Sequence, residues 1–169
     1  SSDSGSTESS ASPSAESSAA QGDGTLKIGT LLPQTGSLAF LGPPEFAGVD
    51  LAVQEINDAG GVNDQPVESV VGDSGDTSTN IASQTVDRQL SQGVDAIIGA
   101  ASSAVSLTVI DKITSAGVQQ VSPANTSPEF STYPDKGLYA RTAPPDTIQG
   151  EVRGDLVAGD GSTTAGTLA

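Results

Sequence analysis

Cysteine and histidine are both absent from this 169-residue sequence. Without cysteine there is no disulfide and no thiolate metal site. Without histidine the chain lacks the commonest general base and the commonest metal ligand, and a Ser-His-Asp triad is excluded. Basic residues are scarce: 6 Lys and Arg stand against 21 Asp and Glu, for a net charge of -15. Such a balance argues against nucleic acid and anionic lipid as partners, since both are bound through basic surfaces. Long apolar runs are also lacking. None approaches the roughly 20 residues needed to cross a bilayer, and no secretory signal is read in the sequence as it stands.

Residues 1–24, SSDSGSTESSASPSAESSAAQGDG, contain no Val, Ile, Leu or aromatic side chain. A segment of this kind buries too little apolar surface to offset its ordering entropy. It reads as an acidic, Ser-rich, disordered tether.

At Leu26 the composition changes. LKIGTLL (26–32) predicts a buried strand, and PPEFAGVDLAVQEINDAGG predicts a helix with Phe46, Val49, Val53 and Ile56 on one face. Pro43 and Pro44 open that helix and Gly60-Gly61 stop it. A second strand is expected over 66–72. A second helix follows with Ala82, Val86 and Leu90 in register, entered through Asp76, Thr77 or Ser78 as caps. VDAIIG (94–99) is a third strand. A third helix carries Leu107, Ile110 and Ile113, with Ser102 or Ser103 at its mouth, and VQQV (118–121) is a fourth strand.

The alternation of strand and helix implies right-handed crossovers and an α/β fold: a parallel sheet flanked by helices on both faces. In such sheets ligands bind at the carboxyl ends of the strands. Three loops are expected there: Pro33–Gly42, Ala100–Ser103 and Ser122–Ser127, the last reading SPANTS. Beyond Pro128, GLYARTAP (137–144) predicts a strand. PDTIQGEVRGDLVAGDG predicts a helix with Ile148, Val152 and Leu156 on one face, and STTAGTLA reads as the start of a further strand. No cap or partner element follows, so a truncated chain is expected.

Four stretches carry a resemblance to a family. They are LKIGTLLPQTGSLAFLGPPEFAGVDLAVQEINDAGGV, VDAIIGAASSAVS, QVSPANTSPEF and YARTAPPDTIQG. In this order and spacing, residues 26–169 resemble the amino-terminal part of the periplasmic-binding-protein type I family, and within it the Leu/Ile/Val-binding proteins of ABC importers. The resemblance implies two α/β lobes with a ligand between them. It implies that 25–127 belong to lobe one, and that 128–169 form the crossover and the start of a second lobe that the chain does not complete. The Ser-rich leader resembles the tether that follows the lipid-modified cysteine of Gram-positive lipoproteins. Membrane attachment is therefore implied only through a lipid anchor upstream of residue 1, with an extracytoplasmic location and an ABC permease as partner.

The resemblance also implies site residues. Ser103, at a helix start with free N–H groups, would meet the carboxylate of an amino acid. From the residues alone, a plain N-cap serves equally well for Ser103; Ser102, at the same helix mouth, is a further ligand-binding candidate. Thr126 matches the family's loop threonine, and Ala124 would offer its backbone carbonyl to the ammonium. A simple turn after the fourth strand is the bland alternative for both. Leu41 stands at a pocket-lining position often held by an aromatic residue in the family, with Phe40 beside it. Ser106, one turn along the helix from Ser103, is expected to miss the ligand. GDSGD (72–76) lacks the spacing of a calcium loop and reads as a solvated turn and helix cap. No cofactor or metal is implied.

Two other function classes compete with a solute receptor. A serine hydrolase on the same sheet would need a histidine or a G-x-S-x-G elbow, and the sequence has neither. A ligand-sensing domain of a receptor or regulator with the same fold stays open. A repressor's helix-turn-helix before Leu26 does not.

Overall fold

The computed structural model describes residues 22–166. The tether over 1–21 and the last three residues of the expected final strand lie outside them, and residues 162–166 form no strand.

Five strands form one sheet: β1 (Lys27–Leu31), β2 (Glu68–Val70), β3 (Ala96–Gly99), β4 (Gln119–Ser122) and β5 (Tyr139–Arg141). Their order is β2-β1-β3-β4-β5, and every pairing is parallel. Four helices connect or follow them: α1 (Gly42–Asp58), α2 (Ile81–Ser91), α3 (Ser103–Ser115) and α4 (Asp146–Gly159). The chain runs outward from β1 to β2, then turns back across β1 to β3. Right-handed crossovers therefore place α1 on one face and α2 and α3 on the other. The reversal puts a switch point between β1 and β3, where their carboxyl ends diverge.

The core lies under α2 and α3. Leu31, Val86, Ile97, Val109 and Ile113 are fully buried there, joined by Ala82, Val94 and Val105. The inward stripe of α3 is Val105, Val109 and Ile113, flanked by Ser106 and Ile110. Leu107, expected on that stripe, is only half buried, because the 3.6-residue period turns it aside. Gln89 is fully buried in α2 and donates to the carbonyls of Thr30 (2.8 Å) and Val70 (3.0 Å), tying β1 to β2. Gly29 is the strand residue beneath that amide; a β-carbon there would stand 2.8 Å from it.

The strand expected over 137–144 supplies β5, which pairs with β4 in the same sheet through Val121 and Ala140. The sheet thus runs past residue 127. α4 forms as expected, and its Ile148, Val152 and Leu156 are 49%, 62% and 63% exposed. The cap expected for α2 among Asp76, Thr77 and Ser78 is not its cap. The helix begins later, after Asn80, and Asp76 instead closes a local turn on Ser78. No helix among the described residues is long and apolar enough to cross a membrane.

Candidate functional site

The three loops expected at the carboxyl edge are there. The second and third are bonded into one unit. Ser102 caps α3, its Oγ accepting from Val105 N at 3.4 Å. Ser103 is therefore free of capping. Its Oγ instead accepts from the backbone N–H groups of Thr126 (3.1 Å) and Ser127 (3.2 Å). Both lone pairs of that hydroxyl are engaged, so it acts outward only as a donor. Among the described residues, the Ser103 and Ala104 amides at the helix start have no acceptor, and the Ala124 carbonyl and Thr126 hydroxyl have no partner. Ser103, Ala124 and Thr126 are each half buried at this edge. Leu41 ends a 3-10 turn (Ala39–Leu41) in the loop after β1 and is half buried, whereas Phe40 is 72% exposed.

Sequence reasoning missed the residues that hold this edge rigid. Ser122, the last residue of β4, is fully buried. Its Oγ donates to Ala100 O (2.7 Å) and accepts from Asn125 N (3.0 Å) and Ala124 N (3.3 Å). Asn125 is also fully buried. Its amide donates to the carbonyls of Ala100 (3.0 Å) and Ala101 (2.9 Å), and its carbonyl oxygen accepts from Tyr139 OH (2.9 Å). Burial pushes the Tyr139 phenol up to about 12, against the opposing pull of Arg141, so it stays a donor at neutral pH. Arg141 donates to Ser127 O (2.6 Å) and Ser131 Oγ (2.9 Å) and lies over the Phe130 ring, which stacks on Tyr139. Ser106 is not a neutral neighbour of Ser103: it is fully buried and exchanges hydrogen bonds with Ala100 N (3.1 Å) and Ala100 O (3.3 Å). In SPANTS, then, Ser122 and Asn125 serve the scaffold, and Ala124 and Thr126 are left with groups to offer. An uncharged amide in a short loop between apolar elements was the one sequence signal for Asn125.

The acidic turn is not simply solvated. Asp73 accepts from Gln34 N (2.9 Å), Thr35 N (3.2 Å), Thr35 Oγ1 and Gly75 N (2.8 Å). Partial burial works against its charge, but these four bonds outweigh it and hold the carboxyl below its ordinary value of 3.8. A depressed value means that the stabilisation is present above the unfolded pKa and is lost as pH falls through the folded one. An acid titration followed at the Gln34 and Thr35 amides is expected to show a midpoint below 3.8; a midpoint above it would contradict the bonding described.

Two surface hollows of about 450 and 480 Å3 lie at the opposite, amino-terminal edge, around Leu26, Val62 and Asp95 and around Leu90, Val94 and Val118. They are remote from the carboxyl-edge loops, and neither is lined by a candidate site residue. Among the described residues no cluster of acidic side chains could hold a metal ion.

An open, doubly wound parallel sheet leaves free amides and hydroxyls at its carboxyl edge, the place where sheets of this class take ligands. The chain belongs to the periplasmic binding protein family, whose profile matches residues 25–169. It is similar to the leucine-, isoleucine-, valine-, threonine- and alanine-binding protein of Pseudomonas aeruginosa, at 32% identity over 79% of this chain and 35% of that protein. It is 30% identical to Leu/Ile/Val-binding protein homolog 1 of Brucella abortus, over 77% of this chain and 34% of the relative. Among solved structures it resembles the branched-chain amino acid transporter substrate binding protein of Streptococcus pneumoniae in complex with isoleucine. That match has 32% identity and a TM-score of 0.70, and covers 79% of this chain and 38% of the other. An ABC transporter substrate-binding protein of Desulfitobacterium hafniense in complex with Leu matches at 28% identity and a TM-score of 0.66, over 81% and 39% of the two chains. The fold is thus that of a type I periplasmic binding protein lobe, and the chain spans about a third of the length of its curated relatives.

Proposed function

We propose that this chain is the first lobe of an extracytoplasmic, non-enzymatic solute receptor that delivers a branched-chain or other amino acid to an ABC importer. The observation that carries the reading is the donor-only hydroxyl of Ser103. With both lone pairs used by Thr126 N and Ser127 N, it can serve an acceptor but cannot receive a donor. A carboxylate fits it, aided by the free amides and positive end of α3. The ammonium of the same amino acid then falls to the Ala124 carbonyl and the Thr126 hydroxyl, on the loop that Ser103 holds. Leu41, from the loop after β1, lies toward the solute's side chain. Relatives described as binding leucine, isoleucine or valine support this ligand class. In this reading the crossing into a second lobe begins after β5, at Thr142. The tether leads to a lipid anchor, and an ABC permease is the partner.

Charge-assisted hydrogen bonds contribute about 1.5–3 kcal/mol each, while association costs roughly 4–15 kcal/mol. One lobe with three or four such bonds is a weak binder, and the two-lobe protein is the object to test. Thr126→Val keeps the shape of the side chain and deletes its hydroxyl. It is expected to weaken isoleucine or leucine binding by about ten- to a hundredfold in calorimetric titration. Ser103→Ala removes a ligand donor and also the acceptor of two loop amides, so it is expected to weaken binding at least as much. Ser115→Ala, exposed at the far end of α3, is the control. Unchanged affinity in both Thr126→Val and Ser103→Ala would place the ligand elsewhere. Absence of binding to every amino acid in a screen would overturn the ligand class.

A further inference from the structure

We propose that Asp73 is the positioning residue of the first ligand-edge loop: its carboxylate, reaching across from the β2–α2 connection, sets where residues 34–37 lie, and ligand affinity follows from that placement. The second clause rests on the function proposed above; the first does not.

Gln34, Thr35, Gly36 and Ser37 are all exposed, between the buried Pro33 and the half-buried Leu38. Apolar burial therefore does little to fix them. What they do have is a run of donors aimed at one carboxylate. Gln34 N and Thr35 N share Oδ1 of Asp73, and the Thr35 hydroxyl takes Oδ2.

The carboxylate is itself held. Gly75 N donates to the same Oδ1, and Thr85 Oγ1 of α2 donates to the Asp73 carbonyl at 2.8 Å. The backbone of Asp73 stands abreast of Leu32, with Leu32 N bonded to Gly72 O (3.2 Å) and Ser74 N to Leu32 O (3.0 Å). Sheet pairing thus delivers the carboxylate to the point where β1 ends.

A second, longer contact continues the line, from Ser37 N to Asp76 Oδ2 at 3.4 Å. Gly36 has φ +90°, and a β-carbon there would stand 2.7 Å from that oxygen, so the loop passes close against the acid. The far end of the loop closes where Gly42 packs on the Pro33 carbonyl; a β-carbon on Gly42 would stand 2.0 Å from that oxygen. Leu41, the side chain that the proposed function assigns to the solute, lies between these two fixed points in sequence.

Amide hydrogen exchange on this chain tests the placement without any ligand. In Asp73→Ala, exchange at Gln34 and Thr35 is expected to rise about tenfold or more, the equivalent of one charged hydrogen bond, with the amides of β1 and β3 unchanged. Asp73→Asn keeps one acceptor oxygen and is expected to restore most of the protection. Asp76→Ala is expected to affect Ser37 and Ser78, its two amide donors, and to leave Gln34 and Thr35 protected. If Asp73→Ala disturbs the whole sheet, Thr35→Val removes a single donor from an exposed side chain and is expected to raise exchange at the same two amides about threefold, a fraction of a charged bond. Wild-type exchange at Gln34 and Thr35 in Asp73→Ala and Thr35→Val would overturn the placement.

In the two-lobe protein, isoleucine affinity is expected to fall about tenfold in Asp73→Ala and to recover in Asp73→Asn, again the equivalent of one such bond. Faster exchange with wild-type isoleucine affinity would overturn the link to binding. A wild-type protein that binds no isoleucine defeats the amino-acid reading instead, and the exchange measurement still decides the role of Asp73.

Discussion

Replacing Asn125 by leucine is expected to destabilise this chain by about 3 kcal/mol, read as a shift of the urea unfolding midpoint. Leucine has the same branched heavy-atom skeleton and is somewhat larger, so no cavity is left; the loss would come from hydrogen bonding, with any overpacking added to it. Asn125 is fully buried and meets the Ala100 and Ala101 carbonyls and the Tyr139 hydroxyl. Ala100 O retains Ser122 and Ser106 as donors. Ala101 O and the Tyr139 hydroxyl lose the partners described, and each buried polar group left unpaired costs about 1–3 kcal/mol. Asn125→Asp separates this account from simple packing. At neutral pH a buried carboxylate would face two carbonyl oxygens, and this with its desolvation outweighs the favourable Tyr139 hydroxyl and the Arg141 cation at the residue's own backbone carbonyl. Its folded pKa is then raised, so the variant's stability relative to wild type is best in acid and declines as pH rises through the folded value. An Asn125→Leu protein as stable as wild type, or an Asn125→Asp protein without that pH trend, would show that the amide network contributes little.

The second large effect is expected from Gly99→Ala. Gly99 ends β3 with φ +128°, a conformation that L side chains rarely adopt. A β-carbon there would lie 2.0 Å from the Leu31 carbonyl of β1. Because that oxygen is backbone in an adjacent strand, no rotamer change relieves the contact. The paired strands β1 and β3 would have to part, and Gln120 would lose its register with the Gly99 carbonyl, to which it donates at 2.9 Å. Strain in such a conformation and overpacking each cost about 1–3 kcal/mol. Their sum competes with the whole stability of a small domain. Loss of soluble, folded protein by circular dichroism is the expected outcome. Gly93→Ala is the comparison: it also carries a positive φ, of 71°, but a β-carbon there meets nothing within 4 Å. A folded Gly99→Ala protein with wild-type stability would contradict the close approach of β1 and β3.

The order of strands and helices was legible because hydrophobic period and turn residues agree along most of the chain. Leu26–Leu32 and Val94–Gly99 are short apolar runs, and Gly60-Gly61 stops a helix whose apolar positions recur every three to four residues. The exact face of α3 was less legible, since Val105, Leu107, Val109 and Ile110 are all apolar and period alone admits two stripes. The candidate site was half legible. Ser103 and Thr126 came from resemblance, and the structure joins them through a hydrogen bond to the Thr126 amide that the sequence does not display. Asp73, Asn125 and Tyr139 were not legible as parts of the site edge. Their partners lie 39, 25 and 14 residues away in sequence, and only the parallel register brings them together. Asp76 was misread as a helix cap for a local reason: an aspartate two residues before a serine closes a turn as readily as it opens a helix.

The bond from Asp146 N to Thr126 O has a mechanical consequence. Measuring 2.8 Å, it ties the first residue of α4 to the loop that carries the Thr126 hydroxyl, and Thr142 ties the preceding stretch to Ser122 O and Pro123 O. Every residue of α4 is exposed among the described residues, so these bonds are what fix its start against the sheet edge. At 1.5 Å per residue its 14 residues extend about 21 Å. A tilt of about 5° at Thr126 would carry the far end through about 2 Å over that length. By this geometry a small rotation at the loop becomes a larger displacement at the far end of the helix.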